Sequence, residues 1–193
     1  MIVRDVIVSM KATKQLKEEH RGVLLALSIL EEINKKLKKG EKVNPEHLDQ
    51  LLEFIRVFVD KCHHSKEEDL LFPAMEKAGI PNEGGPIGMM LEEHNLGRNY
   101  VKNFAKAIED FKAGDPKAGK KIIENTNRYI ALLRDHIDKE DNILYMMADM
   151  HLSPKKQTEL LKQFDKVEEE RIGAGRHEKF HQMLDKLKTV YLD

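Results

Sequence analysis

Apolar residues recur every three or four positions along most of the chain, the signature of helices with one buried face. Leu16, Val23, Leu24, Leu27 and Leu30 share one such stripe. Leu48, Leu51, Leu52, Ile55 and Val59 form a second, and Tyr129, Leu132, Leu133, Ile143 and Met147 a third. Punctuation divides the pattern into five segments. The first runs from about Ser9 to Lys39 and stops at Gly40. The second opens at Asn44-Pro45, a capping residue followed by proline, and ends near Ala78-Gly79. A turn-rich stretch, Gly79 to Pro86, leads to the third, which stops before Gly114. Asp115-Pro116 opens the fourth, reaching about Met150. Ser153-Pro154 opens the fifth, interrupted at Gly173-Ala174-Gly175. Four long segments joined by short connections predict an all-α, antiparallel up-down-up-down four-helix bundle over residues 1–152. Residues 153–193 would form an extra C-terminal helix, covering the bundle or providing an association surface such as a homodimer contact.

Composition narrows the function. Charged residues make up 35% of the 193 positions, yet the net charge is only −1, which argues against binding nucleic acid by phosphate neutralisation. The basic run Lys35 to Lys39 falls at a helix end, where it complements the helix dipole. One cysteine, Cys62, excludes an internal disulfide. No stretch approaches a membrane span, and Met1–Val8 is too short for a signal core, so a cytoplasmic protein without membrane or nucleic-acid partners is the expectation.

The chemistry lies in a repeated pattern. Glu18-Glu19-His20 in the first helix is echoed by Glu92-Glu93-His94 in the third. His63-x-x-x-Glu67 in the second is echoed by His136-x-x-x-Glu140 in the fourth. A His and a Glu four apart share one helix face. Counted from the near ends of the turns, Gly40 or Pro45 and Gly114 or Pro116, each histidine lies about 18 to 20 residues away, or roughly 27 to 30 Å at 1.5 Å per residue. If both turns lie at one end, the four histidines form one layer with both glutamates a turn away. All lie on apolar stripes and should point inward. Six buried ionisable groups are costly unless a metal compensates them; metal-free His–Glu pairs are the alternative. Six ligands exceed what one tetrahedral zinc takes, and imidazole with carboxylate suits iron or manganese. Two metals bridged by Glu67 and Glu140 would each keep an open position.

With these residues in view, the chain resembles the haemerythrin-like (HHE cation-binding) family over roughly Ser9 to Met150. The resemblance rests on Glu19-His20, His63-His64-Ser65-Lys66-Glu67-Glu68 with Leu71-Phe72-Pro73, Gly84-Gly85-Pro86-Ile87-Gly88, Glu93-His94, Gly97-Arg98 and His136-Ile137-Asp138-Lys139-Glu140. It implies a carboxylate-bridged pair of iron ions held by His20, His63, Glu67, His94, His136 and Glu140, with manganese or zinc as substitutes. Oxygen-carrying members have a fifth histidine four residues from the other on the third helix. Here those positions are Met90 and Arg98. The four-His, two-Glu set is more similar to di-iron proteins implicated in iron–sulfur cluster repair, although their usual N-terminal cysteine-containing domain has no counterpart here. The expected partner is a small diatomic or peroxide (oxygen, nitric oxide or hydrogen peroxide), in sensing, scavenging or redox stress response. Iron storage or delivery for cluster repair, catalytic turnover of peroxide or nitric oxide, and a structural zinc bundle are the alternatives.

Other residues carry weaker claims. His64 and Glu68 could replace His63 and Glu67. Tyr129 lies on the His136 stripe, as a site donor or an ordinary core residue. Glu93 and Asp138 read as solvated, Cys62 as a buried thiol, and His177 and His181 as solvated rather than a second site. His47 and His151 read as surface residues.

Overall fold

The computed structural model describes residues 11–173 and 175–193. The predicted start at Ser9 and the Met1–Val8 stretch lie outside that range. Helix α1 is Ala12–Lys38. Helix α2 covers 45–77 as one rod, in which α-helical Pro45–Phe54 and Phe72–Lys77 flank wide turns of π type at Ile55–His64 and Glu67–Leu71. Helix α3 is Pro86–Lys112. Helix α4 covers 118–151 and has its own wide turn at Glu140–Leu144. Helices α5, Pro154–Arg171, and α6, Arg176–Tyr191, make up the C-terminal extension, divided where the sequence predicted a break.

Local chemistry sets these boundaries. The Asn44 side chain accepts the Glu46 N–H at 3.0 Å and the Ser153 hydroxyl accepts the Lys156 N–H at 3.3 Å, each ahead of a proline at the first helical position. Gly40 and Gly114, with φ of 73° and 85°, end α1 and α3 in the left-handed region. Asp115 does not cap α4 as its Asp-Pro pair suggested. Its carboxylate instead accepts the N–H of Lys117 at 2.8 Å, closing a turn, and α4 begins at Ala118. The Gly-Gly-Pro loop before α3 is crowded. A Cβ on Gly85 would collide with the Pro81 carbonyl, and one on Gly88 would stand 2.5 Å from the Asn82 oxygen.

The four long helices form an antiparallel ring in which α1 meets α2 and α4, and α3 meets α2 and α4. The connections after α1 and α3 share one end, so the two hairpins run in parallel. The apolar interior falls into two clusters. One, towards the Gly40 and Gly114 turns, holds Leu27, Leu30, Phe54, Phe58, Phe104 and Ile122. The other, beyond the middle of the bundle, holds Leu16, Phe72, Met75, Ile87 and Tyr145. A buried polar tie locks α1 to α4: Thr126 donates to the Asn34 side-chain oxygen at 2.9 Å, and Asn34 donates to Asn127 at 2.9 Å. Helix α5 packs across α1 and the wide turns of α2, and α6 packs along α1 and α2. Their buried residues, Leu160 and Phe164 on α5 and Phe180, Leu184 and Leu187 on α6, join the two clusters. Among the described residues, no helix is long and apolar enough to cross a membrane.

Phe164 on α5 is completely buried. Phe164→Ala is expected to lower stability by about 3 to 5 kcal/mol, the usual cost of truncating a core phenylalanine. Urea unfolding followed by circular dichroism measures this, and a change below about 1 kcal/mol would show that α5 is not integral to the core.

Candidate metal centre

Between the two apolar clusters lies a polar layer. His20 comes from α1, His63 and Glu67 from α2, His94 from α3, and His136 and Glu140 from α4. Each is 2% exposed or less. The six residues that the sequence pointed inward therefore do meet at one depth. Both His-x-x-x-Glu pairs run into a wide turn that begins at the glutamate itself. Such turns add a residue to the helical repeat and concentrate at functional sites.

The histidines are paired. Nε2 of His20 lies 3.0 Å from Nε2 of His63, and Nε2 of His94 lies 3.0 Å from Nε2 of His136. Every Nδ1 has a carboxylate acceptor. His20 donates to Asp141 at 2.8 Å, His63 to Glu19 at 2.9 Å, His94 to Glu68 at 2.6 Å and His136 to Glu93 at 2.8 Å. Ionised carboxylates only accept, so each Nδ1 holds its proton and each Nε2 faces the centre of the layer. Basic residues anchor the outer carboxylates in turn: Lys66 donates to Glu19 at 2.7 Å, Lys139 to Glu93, and Arg98 to Glu68 at 2.7 Å.

The two glutamates differ. One Glu140 oxygen is 3.3 Å from Nε2 of His20 and the other is 3.3 Å from Nε2 of His136, so its carboxylate spans the two pairs. Glu67 presents a single oxygen, Oε2, 3.6 Å from His63 and 3.5 Å from His94. Its Oε1 accepts the Tyr145 hydroxyl at 2.5 Å. Among the described residues, Glu67 Oε2 and both Glu140 oxygens are the buried side-chain atoms left without a hydrogen-bond partner. Orphaned carboxylate oxygens beside inward imidazole nitrogens suit a cation, since buried polar atoms otherwise find partners. The spacing fits too, because two nitrogens about 2.1 Å from one metal and at right angles lie about 3 Å apart.

Electrostatics follow from this packing. Burial alone would depress His20 and His136. Hydrogen bonds to Asp141 and Glu140 nevertheless lift His20 to about 8, and the charge of Glu140 with its hydrogen bond lifts His136 to about 9. Burial and like charge push their partners His63 and His94 down. The packing thus favours one proton shared between the nitrogens of each pair at neutral pH. Burial and the Glu140 charge push Glu67 up, whereas the histidines around Glu140 outweigh its burial and pull it down. Burial opposes ionisation of Glu19, yet its His63 hydrogen bond and the Lys66 charge bring it to about 2.

A family model described as the Hemerythrin HHE cation binding domain matches residues 11–148. The chain belongs to the hemerythrin HHE cation-binding family. Similar proteins include the uncharacterized protein Rv1995 of Mycobacterium tuberculosis and the uncharacterized protein Mb2018 of Mycobacterium bovis. Each is 23% identical over 184 residues, covering 95% of this chain and 70% of the relative.

Within this HHE centre several readings change. Glu93, expected to be solvated, holds His136; Asp138 instead accepts from Asn142 at 2.8 Å. Glu68 is not an alternative to Glu67 but holds His94 from outside the layer. His64 is buried beside the layer, its ring stacked on His94 at 3.8 Å. Tyr129 is buried and lines a nearby cavity. Cys62 is a buried thiol, pushed up to about 11 by desolvation. His177 donates to Glu168 at 2.7 Å and stacks on His181, away from the layer. His47 pairs with the Tyr191 hydroxyl at 2.8 Å, and His151 is exposed. Tyr145, Glu19 and Asp141 escaped the sequence reading. The signal for Glu19 and Glu93 was their matching place immediately before His20 and His94.

A cation entering the layer must displace the proton held by each histidine pair. Loading at pH 7 is therefore expected to release about two protons or more. The number should fall as the pH rises through 8 and 9, where His20 and His136 lose theirs beforehand. Indicator-dye titration in weak buffer measures this release, and pH-independent release would contradict the assignment.

Proposed function

We propose that this protein is a non-haem di-iron protein that binds a small diatomic or peroxide in sensing, scavenging or redox stress response, with His20, His63, Glu67, His94, His136 and Glu140 as the metal ligands. The observation that carries the reading is the set of three orphaned carboxylate oxygens facing two histidine pairs, with Glu140 reaching one pair through each oxygen. A cation on each pair uses every orphan, and a single cation does not. Each would receive two imidazoles and carboxylate oxygens, a set that suits iron and would leave a six-coordinate metal room for further ligands. Bound here, two irons supply redox equivalents and open positions for a small ligand.

The chain's own residues set the conditions around that pair. The four outer carboxylates fix the ring orientation of the histidines and add negative charge against the cations. Tyr145 holds its proton on Glu67 Oε1 and stacks on His20 at 5.6 Å, so one half of the centre has a hydroxyl beside it. The corresponding residue in the other half is Phe72, stacked on His94 at 6.1 Å. A void of about 10 Å³, lined by His20, His63, His136 and Glu140 with Val23, Val59, Leu133 and Ile137, adjoins the layer. That is about the room one water-sized group requires. The apolar clusters on both sides keep bulk water out. Such burial favours a resident centre over labile iron held for delivery. In this reading residues 1–152 hold the metals and residues 153–193 are an added cover.

Two measurements on aerobically purified protein test this. Metal analysis is expected to give about two irons per chain, with near-ultraviolet and visible absorption from ferric iron. Colourless protein with stoichiometric zinc would overturn the assignment. Glu140→Ala is expected to abolish paired binding. Glu19→Ala and Glu93→Ala should each weaken metal retention about 10- to 100-fold, as read by chelator competition.

A further inference from the structure

A second cavity lies between α2 and α3, outside the polar layer, with a volume of about 140 Å³. Its wall begins at the exposed side chains of Arg56 and Lys102 and ends at buried Val59, His64, Gly97 and Tyr129. It thus leads from the surface towards the centre. The inner void that touches four of the proposed ligands shares two wall residues with it, Val59 and His64. These two side chains are the partition between the outer cavity and the metal-facing space.

His64 differs from the other buried histidines of the layer in ways that matter. The duplicated hairpin places Ile137 at the matching position, so a histidine here is not required by the repeat. Its ring nitrogen comes within 4.8 Å of those of His94 and His136. Yet its ring lies parallel to His94, 3.8 Å away with 18° between planes. Stacked rings point their nitrogens side by side rather than towards one point. By contrast, the rings of His94 and His136 are tilted by 57° and their nitrogens converge. His64 is also the most loosely held. Its Nδ1 stands 3.3 Å from Asp60, against 2.6 to 2.9 Å for the four proposed ligands and their carboxylates. Asp60 is itself anchored by Arg98 at 2.8 Å, at the cavity wall. A stacked ring held by one long hydrogen bond can turn aside without disturbing either proposed metal position.

We propose that the cavity between α2 and α3 is the route by which small ligands reach the centre, and that His64 is its gate rather than a seventh metal ligand. Among the proposed ligands this route favours an anion of two or three heavy atoms, such as deprotonated peroxide, over neutral oxygen or nitric oxide, because Arg56 and Lys102 flank the approach while the Asp60 charge is already taken up by Arg98. The inner void of about 10 Å³ has room for one water-sized group, so a ligand of this size enters only as His64 turns aside and widens it, and nothing larger is admitted. This inference rests on the proposed metal centre for its purpose, but the cavity and the partition are independent of it.

Azide is a suitable probe, since it has the right size and charge. In the iron-loaded protein of 193 residues its association is followed by stopped-flow absorbance. His64→Ala removes the partition and is expected to speed association about tenfold or more while iron content stays unchanged. Gly97→Leu enlarges the cavity wall, where a Cβ would already meet the Tyr129 ring at 3.6 Å, and is expected to slow association about tenfold. His64→Phe should also slow it. Unchanged rates in both His64→Ala and Gly97→Leu would overturn the route. Loss of one iron in His64→Ala would overturn the gate and make His64 a ligand. If the wild-type protein takes up no iron, the metal assignment fails, and xenon-pressurised crystals of the metal-free protein still decide the route. Xenon is expected in the outer cavity of the wild type, and in both spaces once His64→Ala removes the partition. An empty outer cavity, or no passage in His64→Ala, would refute the proposal.

Discussion

Two carboxylates and four imidazoles are held in one layer across the middle of an otherwise apolar bundle, and the cost of burying them shapes their surroundings. Each histidine is fixed by a carboxylate outside it, and basic residues anchor three of those carboxylates. The arrangement runs outward in alternating sign, from imidazole to carboxylate to lysine or arginine. Buried charge is tolerable only when paired and hydrogen-bonded in this way. Among the described residues, what is left unsatisfied are three carboxylate oxygens, and all three face the same small space.

The centre is built twice, and its usefulness depends on where the copies differ. The two hairpins supply matching inward histidines and glutamates, matching outer carboxylates and matching lysines. The matched pairs Tyr145 and Phe72, and His64 and Ile137, break that symmetry. One half of the layer therefore has a hydroxyl against Glu67, and the other has a histidine between itself and an outer cavity. Cations placed in the two halves would meet different neighbours, which is the condition for one of them to be the place where a ligand arrives.

The C-terminal helices add a third asymmetry. Helix α5 lies against the α1–α2 side, where Lys66 is fully buried between Glu19 and Glu168, and Glu168 accepts from His177 on α6. The corresponding Lys139 on the α3–α4 side is partly exposed and pairs with Asp135. The cover thus extends one arm of the outer network into the extension and leaves the other at the surface. Local stiffness around His63 and His136 should differ accordingly, because a buried ion-paired lysine holds its carboxylate more firmly than a hydrated one.

The helices, their turns and the inward direction of all six central residues follow from local rules. Apolar period fixes the faces, Gly40 and Gly114 fix the ends, and equal distances from those ends fix the common depth. The pairing of His20 with His63 and of His94 with His136 also echoes separations of 43 and 42 residues along the chain. Tertiary structure alone decided which carboxylate holds which ring. Asp141 reaches His20 across the bundle, and Glu93 leaves the solvated face its sequence context suggested. It also decided that Glu140 uses two oxygens and Glu67 one, that His64 stacks instead of converging, and that a cavity opens beside it. The reason is physical. Periodicity specifies the face of a helix to within a turn, whereas hydrogen bonds and voids depend on fractions of an ångström set by how four rods, two of them carrying wide turns, pack together.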